Sequence, residues 1–314
     1  MPTRARVLTL IMVVLLICAV LVVSRHSGPY AGLRAAFDAE FLTRPDGYRG
    51  LSQHYGFRFP AEPLQMDSGL MYRAVADGAA DVCCGFATDG RIPAYDLVIL
   101  RDDKGFFPPY HAAPLVRTET LKKHPELEGI LNGLAGKMSD EAMRSMNYDV
   151  DDKGRKAADV AREFLLSQEI MSPDAKSGDG SAGSITLGGK HFTEQEVIGE
   201  MIATLVECNS DIAVVRKLNL GGTMICFNGL KAGDLDLYPE YTGTGLMNIL
   251  KREVISDPDK AYETVRREFE QRHDLVWLEP FGFNNTYTLT MRAEHARELG
   301  ISTISDLAEY INKL

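Results

Sequence analysis

Helix and strand patterns alternate on both sides of a Ser-, Gly- and Asp-rich stretch at residues 171–184, and this constrains the fold more than any other feature. Before it, Asp67–Asp77 has the periodicity of an amphipathic helix, and Asp81–Phe86 is typical of a buried strand. After it, Ile185–Leu187 favours a strand and Phe192–Cys208 a helix with a capping box at its start. Such alternation favours parallel α/β sheets, and 314 residues suffice for about two domains. We therefore predict two α/β units joined by a flexible linker.

Composition excludes several classes of partner and cofactor. The formal net charge of −10 argues against a nucleic-acid partner, and no basic run with interleaved aromatic residues offsets it. The five cysteines are too few and too irregularly spaced for a disulfide framework or a metal site. Cys208 and Cys226 either pair or remain buried thiols. We expect no metal and no cofactor.

The N-terminal segment differs from the rest of the chain. Arg4 and Arg6 precede Val7–Val23, a run without charge that is short for a membrane span and long for a signal-peptide core. No small-residue cleavage site follows it. We predict an uncleaved signal anchor and transmembrane segment over residues 1–27, with a cleaved signal peptide as the alternative. In both cases the remainder of the chain is exported.

The stretch Asp234–Thr244 combines strand and turn features. Leu235–Tyr238 alternates as a half-buried strand, and Pro239 is predicted to end it because proline donates no ladder hydrogen bond. A tyrosine, two threonines and a glycine then precede a possible helix at Gly245–Lys251, whose first N–H groups would be available to a ligand. The alternative is a strand-to-helix turn with surface hydroxyls.

Signatures of catalysis are weak. Gly188-Gly189-Lys190 lacks the spacing of a phosphate loop, because Ser184 replaces the required glycine and His191 follows the lysine. His191 and Glu194 have no second histidine at helical spacing, so zinc is not expected. We therefore expect no catalytic residues and no enzyme activity.

Aromatic residues in loops or at strand ends suggest a binding site. Aromatic side chains usually belong to the core, but these lie close to Gly, Pro, Thr or Asn. Together they could form a cage whose ring faces attract a quaternary ammonium, and neighbouring cations and a hydroxyl would hold a carboxylate. The four ring residues are Tyr241, Tyr287, Tyr110 and Phe86, and the carboxylate group consists of Lys190, Arg44 and Thr244.

Eight motifs are spread over nearly everything from about residue 30 to residue 314. They are Gly188–Glu194, Leu218–Thr223, Tyr238–Thr244, Phe281–Tyr287, Glu40–Gly47, Met66–Arg73, Phe86–Ile92 and Phe106–Pro114. Together they resemble a known family, the osmoprotectant (glycine betaine, choline, carnitine) substrate-binding proteins of ABC importers.

The order of these motifs differs from that of the family. Members begin with the glycine-lysine strand and reach the Arg-Pro-Asp-Gly and Phe-Phe-Pro-Pro-Tyr motifs last, whereas here that half comes first. The resemblance thus implies a circularly permuted, two-lobe periplasmic-binding-protein-like fold of type II, with an N-terminal transmembrane anchor. One lobe would comprise residues 28–111 plus 283–314, and the other residues 112–170 plus 185–282. Residues 171–184 would join the family's usual ends.

The resemblance also implies a function. Tyr241, Tyr287 and Tyr110 match cage tyrosines, and Phe86 stands where several members have tyrosine. The chain is expected to capture a quaternary-ammonium osmoprotectant and deliver it to an ABC transporter permease outside the cytoplasm, with its N-terminal segment in the membrane. The alternatives are a ligand-sensing regulatory module and a non-binding remnant of a rearranged transporter gene.

Overall fold

The computed structural model describes residues 32–314, whose ten strands form two five-stranded sheets. The first sheet has the order β2-β1-β3-β10-β4 and the second β7-β6-β8-β5-β9. Each sheet with its helices is one lobe, called the first and the second lobe below. The strands are β1 (Ala35–Phe37), β2 (Leu64–Gln65), β3 (Val82–Phe86), β4 (Leu97–Leu100), β5 (Ala112–Arg117), β6 (Ser184–Gly188), β7 (Ala213–Lys217), β8 (Leu237–Tyr241), β9 (Leu275–Trp277) and β10 (Tyr287–Arg292).

Helices connect and cover these strands. In the described part of the chain they are α1 (Ala39–Thr43), α2 (Tyr48–Tyr55), α3 (Ser68–Ala76), α4 (Arg91–Ala94), α5 (Thr118–Lys123), α6 (Glu126–Asn132), α7 (Asp140–Asp151), α8 (Ala157–Ser167), α9 (Thr193–Asn209), α10 (Thr223–Ala232), α11 (Thr242–Thr244), α12 (Pro258–His273), α13 (Ala293–Leu299) and α14 (Ile304–Asn312). A π-helical turn, Gly245–Ile249, replaces most of the helix predicted at Gly245–Lys251.

The first lobe is built around the predicted helix-strand pair. Asp67 caps α3 by accepting a hydrogen bond from the Gly69 N–H at 2.8 Å. Met71, Tyr72 and Val75 of α3 are buried, whereas Leu70 is 64% exposed. The chain then enters β3, which lies parallel to β1. Strand β10 lies antiparallel between β3 and β4 and brings a segment from near the C-terminus into this sheet.

In the second lobe, strand β8 corrects a sequence prediction. Pro239 does not end the strand, which runs to Tyr241. Pro239 stands opposite Pro114 of the antiparallel strand β5, and two facing prolines fit a ladder position that exchanges no hydrogen bonds. The Pro239 carbonyl accepts from Gln195 Nε2 at 2.9 Å. The missing N–H therefore leaves no gap in the hydrogen bonding.

The start of helix α9 corrects another prediction. A capping box would place the Thr193 side chain outside the helix, but Phe192 is the N-cap residue and no side chain caps it. The Thr193 hydroxyl instead donates to Asp151 at 2.5 Å. The Thr193 hydroxyl therefore binds α7, and it does not cap the start of α9 as the local motif predicts.

Two chain segments connect the lobes, one between β4 and β5 and the other between β9 and β10. They run antiparallel to each other: the Asn285 N–H donates to the Tyr110 carbonyl at 3.1 Å, and the Phe281 N–H donates to the Ala112 carbonyl at 2.9 Å. The two lobes therefore meet at a pair of hydrogen-bonded crossing segments.

The stretch at residues 171–184 has no helix or strand before β6 begins at Ser184. Its backbone is held to the end of α9, because the Gly178 N–H donates to the Glu207 carbonyl at 2.7 Å and the Ala182 N–H donates to the Asp211 carbonyl at 3.0 Å. The four cysteines of the described region, Cys83, Cys84, Cys208 and Cys226, are free thiols.

The predicted anchor at residues 1–27 lies outside the described residues. From residue 32 onwards, no helix combines the length and the apolar character that a membrane span requires.

Candidate functional site

A cavity of about 490 Å³ lies between the two lobes, where β3, β6 and β8 reach their carboxyl ends. Open α/β sheets place their ligand crevices at such ends. All seven side chains singled out in the sequence line this cavity: Arg44, Phe86, Tyr110, Lys190, Tyr241, Thr244 and Tyr287. Folding therefore gathers residues from both halves of the sequence around one space.

Aromatic rings form a continuous wall across the cavity. The centroid of Phe86 lies 5.2 Å from that of Tyr287, which in turn lies 5.7 Å from Tyr110 with perpendicular ring planes. From the second lobe, the ring of Phe192 stacks on Phe86 and on Tyr241, with centroid distances of 6.3 and 6.2 Å. Rings from the two lobes thus meet between Phe86 and Phe192.

Sequence reasoning missed Phe192. At the start of a helix, a phenylalanine is ordinarily a core residue, and its neighbours His191 and Thr193 gave no reason to set it apart. Its position directly after Gly188-Gly189-Lys190, at the end of a strand, is the signal that could have identified it.

Burial controls the protonation of the cage tyrosines. It raises the pKa of Tyr110, Tyr241 and Tyr287 well above the ordinary range of tyrosine. All three are less than a tenth exposed. Their hydroxyls therefore remain neutral hydrogen-bond donors at physiological pH, and their rings keep the electron-rich faces that attract cations.

Arg44 is buried and held by a neighbouring carboxylate. Its Nε and Nη2 atoms donate to the two oxygens of Asp46 at 2.9 and 2.7 Å. Nη2 also donates to the Tyr110 hydroxyl at 3.1 Å, and that hydroxyl donates to Asp46. The guanidinium carbon lies 5.4 Å from the centroid of Tyr287. Arg44 therefore orders two cage rings.

Lys190 forms the corresponding ion pair of the second lobe. Its ammonium nitrogen lies 2.5 Å from Glu240 Oε1, and the Glu240 side chain is fully buried. The same nitrogen is 4.9 Å from the ring centroid of Tyr241. Tyr238 completes the site by donating its hydroxyl to Glu240 Oε2 at 2.9 Å. A ligand carboxylate that reaches Lys190 would share it with Glu240.

The Tyr-Thr-Gly-Thr stretch packs closely against the cage. A Cβ atom added to Gly243 would lie 2.8 Å from two ring carbons of Tyr110 and 2.9 Å from the Pro109 carbonyl oxygen. Only glycine allows the Tyr110 ring to approach the backbone at this distance. Thr242 donates its hydroxyl to the same Pro109 carbonyl at 2.9 Å, and Thr244 is buried at the cavity wall.

Acidic side chains also line the cavity and were not predicted. Asp38, Glu40 and Asp67 come from the first lobe. Burial raises the pKa of Asp38, although its carboxylate accepts from the Phe41 N–H. Both cavity cations, Arg44 and Lys190, are already paired with carboxylates. The cavity therefore carries an excess of negative charge, which favours a positively charged ligand group.

Two α/β lobes joined by paired crossing segments, with an aromatic and acidic cavity between them, define a two-lobe periplasmic-binding-protein-like fold. The family comparison narrows this class. A model of the family described as the substrate binding domain of ABC-type glycine betaine transport systems matches residues 24–167 and 183–314. The chain belongs to this family, whose members are substrate-binding proteins of transport systems.

Individual relatives match part of the chain. The carnitine transport binding protein OpuCC of Listeria monocytogenes is 46% identical over 134 residues, which is 42% of this chain and 43% of OpuCC. A glycine-betaine-binding protein of Pseudomonas aeruginosa is 35% identical over 148 residues, 47% of each chain. The ergothioneine transport permease/ergothioneine binding protein EgtU of Helicobacter pylori is 39% identical over 131 residues, 42% of this chain and 23% of EgtU.

Among solved structures, the chain matches a crystal structure of a glycine betaine/carnitine/choline ABC transporter with 42% sequence identity and a TM-score of 0.36. The match covers 44% of this chain and 50% of the chain in that structure. The chain spans less than half the length of the curated relatives named above.

Proposed function

We propose that this protein captures a quaternary-ammonium osmoprotectant, such as glycine betaine, choline or carnitine, between its lobes and delivers it to an ABC transporter permease. The observation that carries the proposal is the cavity between the lobes, in which aromatic rings from both lobes converge beside buried ion pairs. Family membership supports the same conclusion. Binding and release require no covalent chemistry.

The aromatic wall supplies the attraction for the ammonium group. A quaternary ammonium has no N–H to donate, so ring faces compensate its lost hydration at about 0.5–2 kcal/mol per ring. We assign this role to Tyr110, Tyr241, Tyr287 and Phe86, and we add Phe192. The acidic side chains at the cavity wall add long-range attraction for the same charge.

Lys190, Arg44 and Thr244 are proposed to orient a ligand carboxylate where one is present. Because Glu240 and Asp46 already neutralise the two cations, a carboxylate gains only part of the attraction that an unpaired lysine or arginine would offer. This balance favours ligands whose net charge is zero or positive.

Closure follows from the position of the cavity. A ligand that touches rings of both lobes makes its full set of contacts only when the lobes are together, and this differential affinity favours the closed form. We propose that the first lobe comprises residues 28–111 plus 283–314 and the second residues 112–170 plus 185–282.

We further propose that the chain is a circular permutation of the family fold, joined at residues 171–184. One family match ends at residue 167, before this stretch, and the other begins at residue 183, near its end. The positions of the first and last segments of the described region also support the proposal. Asn312 donates to the Gly56 carbonyl at 2.9 Å, and a Cβ atom on Gly32 would lie 2.4 Å from Pro60.

This proposal has a direct test. A variant opened within residues 171–184, with residue 314 joined to residue 28 by a short Gly-Ser linker, restores the family order. It should fold and bind with unchanged affinity, because the termini of a domain usually lie at its surface and often close together, where a short flexible linker can join them. A variant that does not fold would contradict the permutation.

The location of the protein is proposed from the family, since substrate-binding proteins of ABC importers act outside the cytoplasm. Residues 7–23 are proposed to attach the chain to the membrane. Fractionation of cells that produce the full chain, compared with a variant whose residues 1–27 are replaced by a cleavable signal peptide, tests this attachment. Equal release of both into the soluble extracytoplasmic fraction would contradict it.

Calorimetric titration of the purified chain tests the binding function. The panel is choline, glycine betaine, carnitine and ergothioneine, with glycine as the control that lacks a quaternary nitrogen. Saturable binding of methylated ligands alone, near micromolar Kd or about −8 kcal/mol, is expected. A folded protein that binds none of them would refute the proposal.

A further inference from the structure

A buried carboxylate connects the two lobes directly beside the cage. Glu194, in the first turn of α9, is 2% exposed. Its Oε1 accepts from the Tyr241 hydroxyl at 2.7 Å and from Asn285 Nδ2 at 2.9 Å. Its Oε2 accepts from the Thr88 hydroxyl and from Asn147 Nδ2 at 3.2 Å. Four neutral donors therefore surround one carboxylate.

These donors come from both sides of the cavity. Tyr241 and Asn147 belong to the second lobe, as Glu194 does. Thr88 follows β3 in the first lobe, and Asn285 lies on a crossing segment at the entrance to β10. Thr88 is bound twice more, because its N–H donates to Asn285 Oδ1 at 3.3 Å and its carbonyl accepts from Asn147 Nδ2 at 2.9 Å.

The free-energy cost of burying the Glu194 carboxylate favours the closed arrangement of the lobes. Burial raises the pKa of Glu194, and the hydrogen bonds from its four partners oppose this increase. A buried carboxylate is costly unless donors satisfy it. When the first lobe moves away, Thr88 leaves the carboxylate. Glu194 is therefore fully satisfied only in the closed arrangement.

Tyr241 links this network to the ligand. Its ring faces the cavity, and its hydroxyl donates to Glu194 and accepts from Gln195 Nε2 at 3.2 Å. Two anchored hydrogen bonds at the hydroxyl limit rotation of the ring about its attachment to the backbone. The orientation of the Tyr241 ring thus depends on Glu194, which Thr88 of the first lobe contacts.

We propose that Glu194 is a positioning residue that couples closure of the two lobes, through Thr88, to the orientation of the cage ring of Tyr241. This inference rests on the proposed function, because it assigns Glu194 a role in ligand affinity. A purely structural Glu194 would contribute to stability alone, and its loss would leave ligand affinity independent of Thr88.

The test is a double-mutant cycle in the full chain with choline and glycine betaine. Glu194→Gln keeps the shape of the side chain but replaces one acceptor with a donor, and it should weaken binding about 10- to 100-fold. Thr88→Val removes the donor from the facing lobe and should weaken binding about tenfold. The double variant should bind hardly more weakly than Glu194→Gln alone, because both changes break the same bond.

Glu196→Gln is the matched control. Glu196 lies in the same first turn of α9, is half-buried and is not one of the residues that bond to Glu194. The control removes the same charge and should change the affinity by less than about twofold. Thermal unfolding of the ligand-free proteins is measured in parallel to separate stability from affinity.

Small-angle scattering with saturating ligand provides the second readout. Glu194→Gln and Thr88→Val should show larger radii of gyration than the wild type. Unchanged affinity of Thr88→Val, or additive losses in the double variant, would overturn the coupling while leaving wild-type binding intact. If the wild type binds no ligand, the proposed function fails. Equal radii of gyration of all ligand-free proteins would then overturn the coupling as well.

Discussion

The two walls of the cavity bury their cations in different ways. In the first lobe, Arg44 pairs with Asp46 two residues further on, and both belong to one turn. In the second lobe, Lys190 pairs with Glu240 fifty residues away. That contact depends on the pairing of β6 with β8, which sets Leu187 beside Leu237.

The Arg44 ion pair is positioned by local structure, whereas the Lys190 ion pair is positioned by tertiary structure. The Arg44 pair forms wherever its turn forms, and it then orders the Tyr110 and Tyr287 rings. The Lys190 pair forms only when the second sheet has its native register. We therefore expect changes to the Arg44 pair to act mainly on ligand affinity and changes to the Lys190 pair to act mainly on stability.

Lys190→Ala should have the largest effect. It leaves the buried Glu240 without its cation, and the free energy of unfolding should fall by about 3–5 kcal/mol. Urea denaturation measures this loss. Adding Glu240→Gln should recover most of the loss, because the side chain is then neutral. An equal loss of stability in Arg44→Ala would remove the distinction between the two walls.

Cage substitutions should have the next largest effect. Tyr110→Ala and Tyr241→Ala each remove a ring face and should weaken choline binding up to about 30-fold, or 2 kcal/mol. Titration calorimetry measures the change. Tyr95→Ala, in the first lobe outside the cavity wall, is the control. Unchanged affinity in both cage variants would refute the aromatic cage.

Gly243→Ala tests the contact between the walls. Its Cβ atom would lie 2.8 Å from the Tyr110 ring, so the ring must shift. We expect a loss of about 1–3 kcal/mol in binding, the usual range of overpacking costs, because the Pro109 carbonyl at 2.9 Å must move as well as the ring. Gly129→Ala, with open space around its Cβ position, is the control for a helical glycine. Equal affinities of both variants would contradict the close packing at Gly243.

Replacement of Asp81, which lies outside the cavity, should have the smallest effect, and this effect is on stability. Burial alone would raise its pKa, but hydrogen bonds from Arg34 outweigh burial and hold the pKa below the ordinary range. The ion pair therefore contributes stability above the unfolded pKa of about 3.9, and this contribution is lost as pH falls through the lower folded pKa.

The Arg34 side chain is 41% exposed, so Asp81→Asn should cost less than about 1 kcal/mol at pH 7. Urea midpoints at pH 7 and pH 3 measure this difference. The variant and the wild type should converge at the lower pH. A difference that grows on acidification would contradict the sign of the shift.

Much of the fold was predictable from local pattern. The helix at α3 and the strand at β3 follow from hydrophobic periodicity and an Asp cap, and both are present. The predictions of a strand end at Pro239 and of a capping box at the start of α9 were wrong, because each rested on local sequence preference alone. The structure satisfies Pro239 with a facing proline and engages Thr193 with Asp151, contacts that periodicity does not contain.

The candidate site divides in the same way. The types of residue needed for a cation site, tyrosines beside glycine, threonine and proline, are visible in the sequence. Phe192 and Glu194 were not recognised, because a ring and a carboxylate at a helix start usually serve packing and capping. Their roles depend on Phe86 and Thr88, which approach from the other lobe.

The sequence by itself determined the alternation of helices and strands, the family motifs and the residue types around the cavity, because these are properties of neighbouring residues. Tertiary structure alone decided that β10 lies antiparallel between β3 and β4, that Lys190 meets Glu240, and that Glu194 bonds across the lobes. Strand order and buried charge pairing depend on which surfaces exclude water together, and that is a property of the packed chain as a whole.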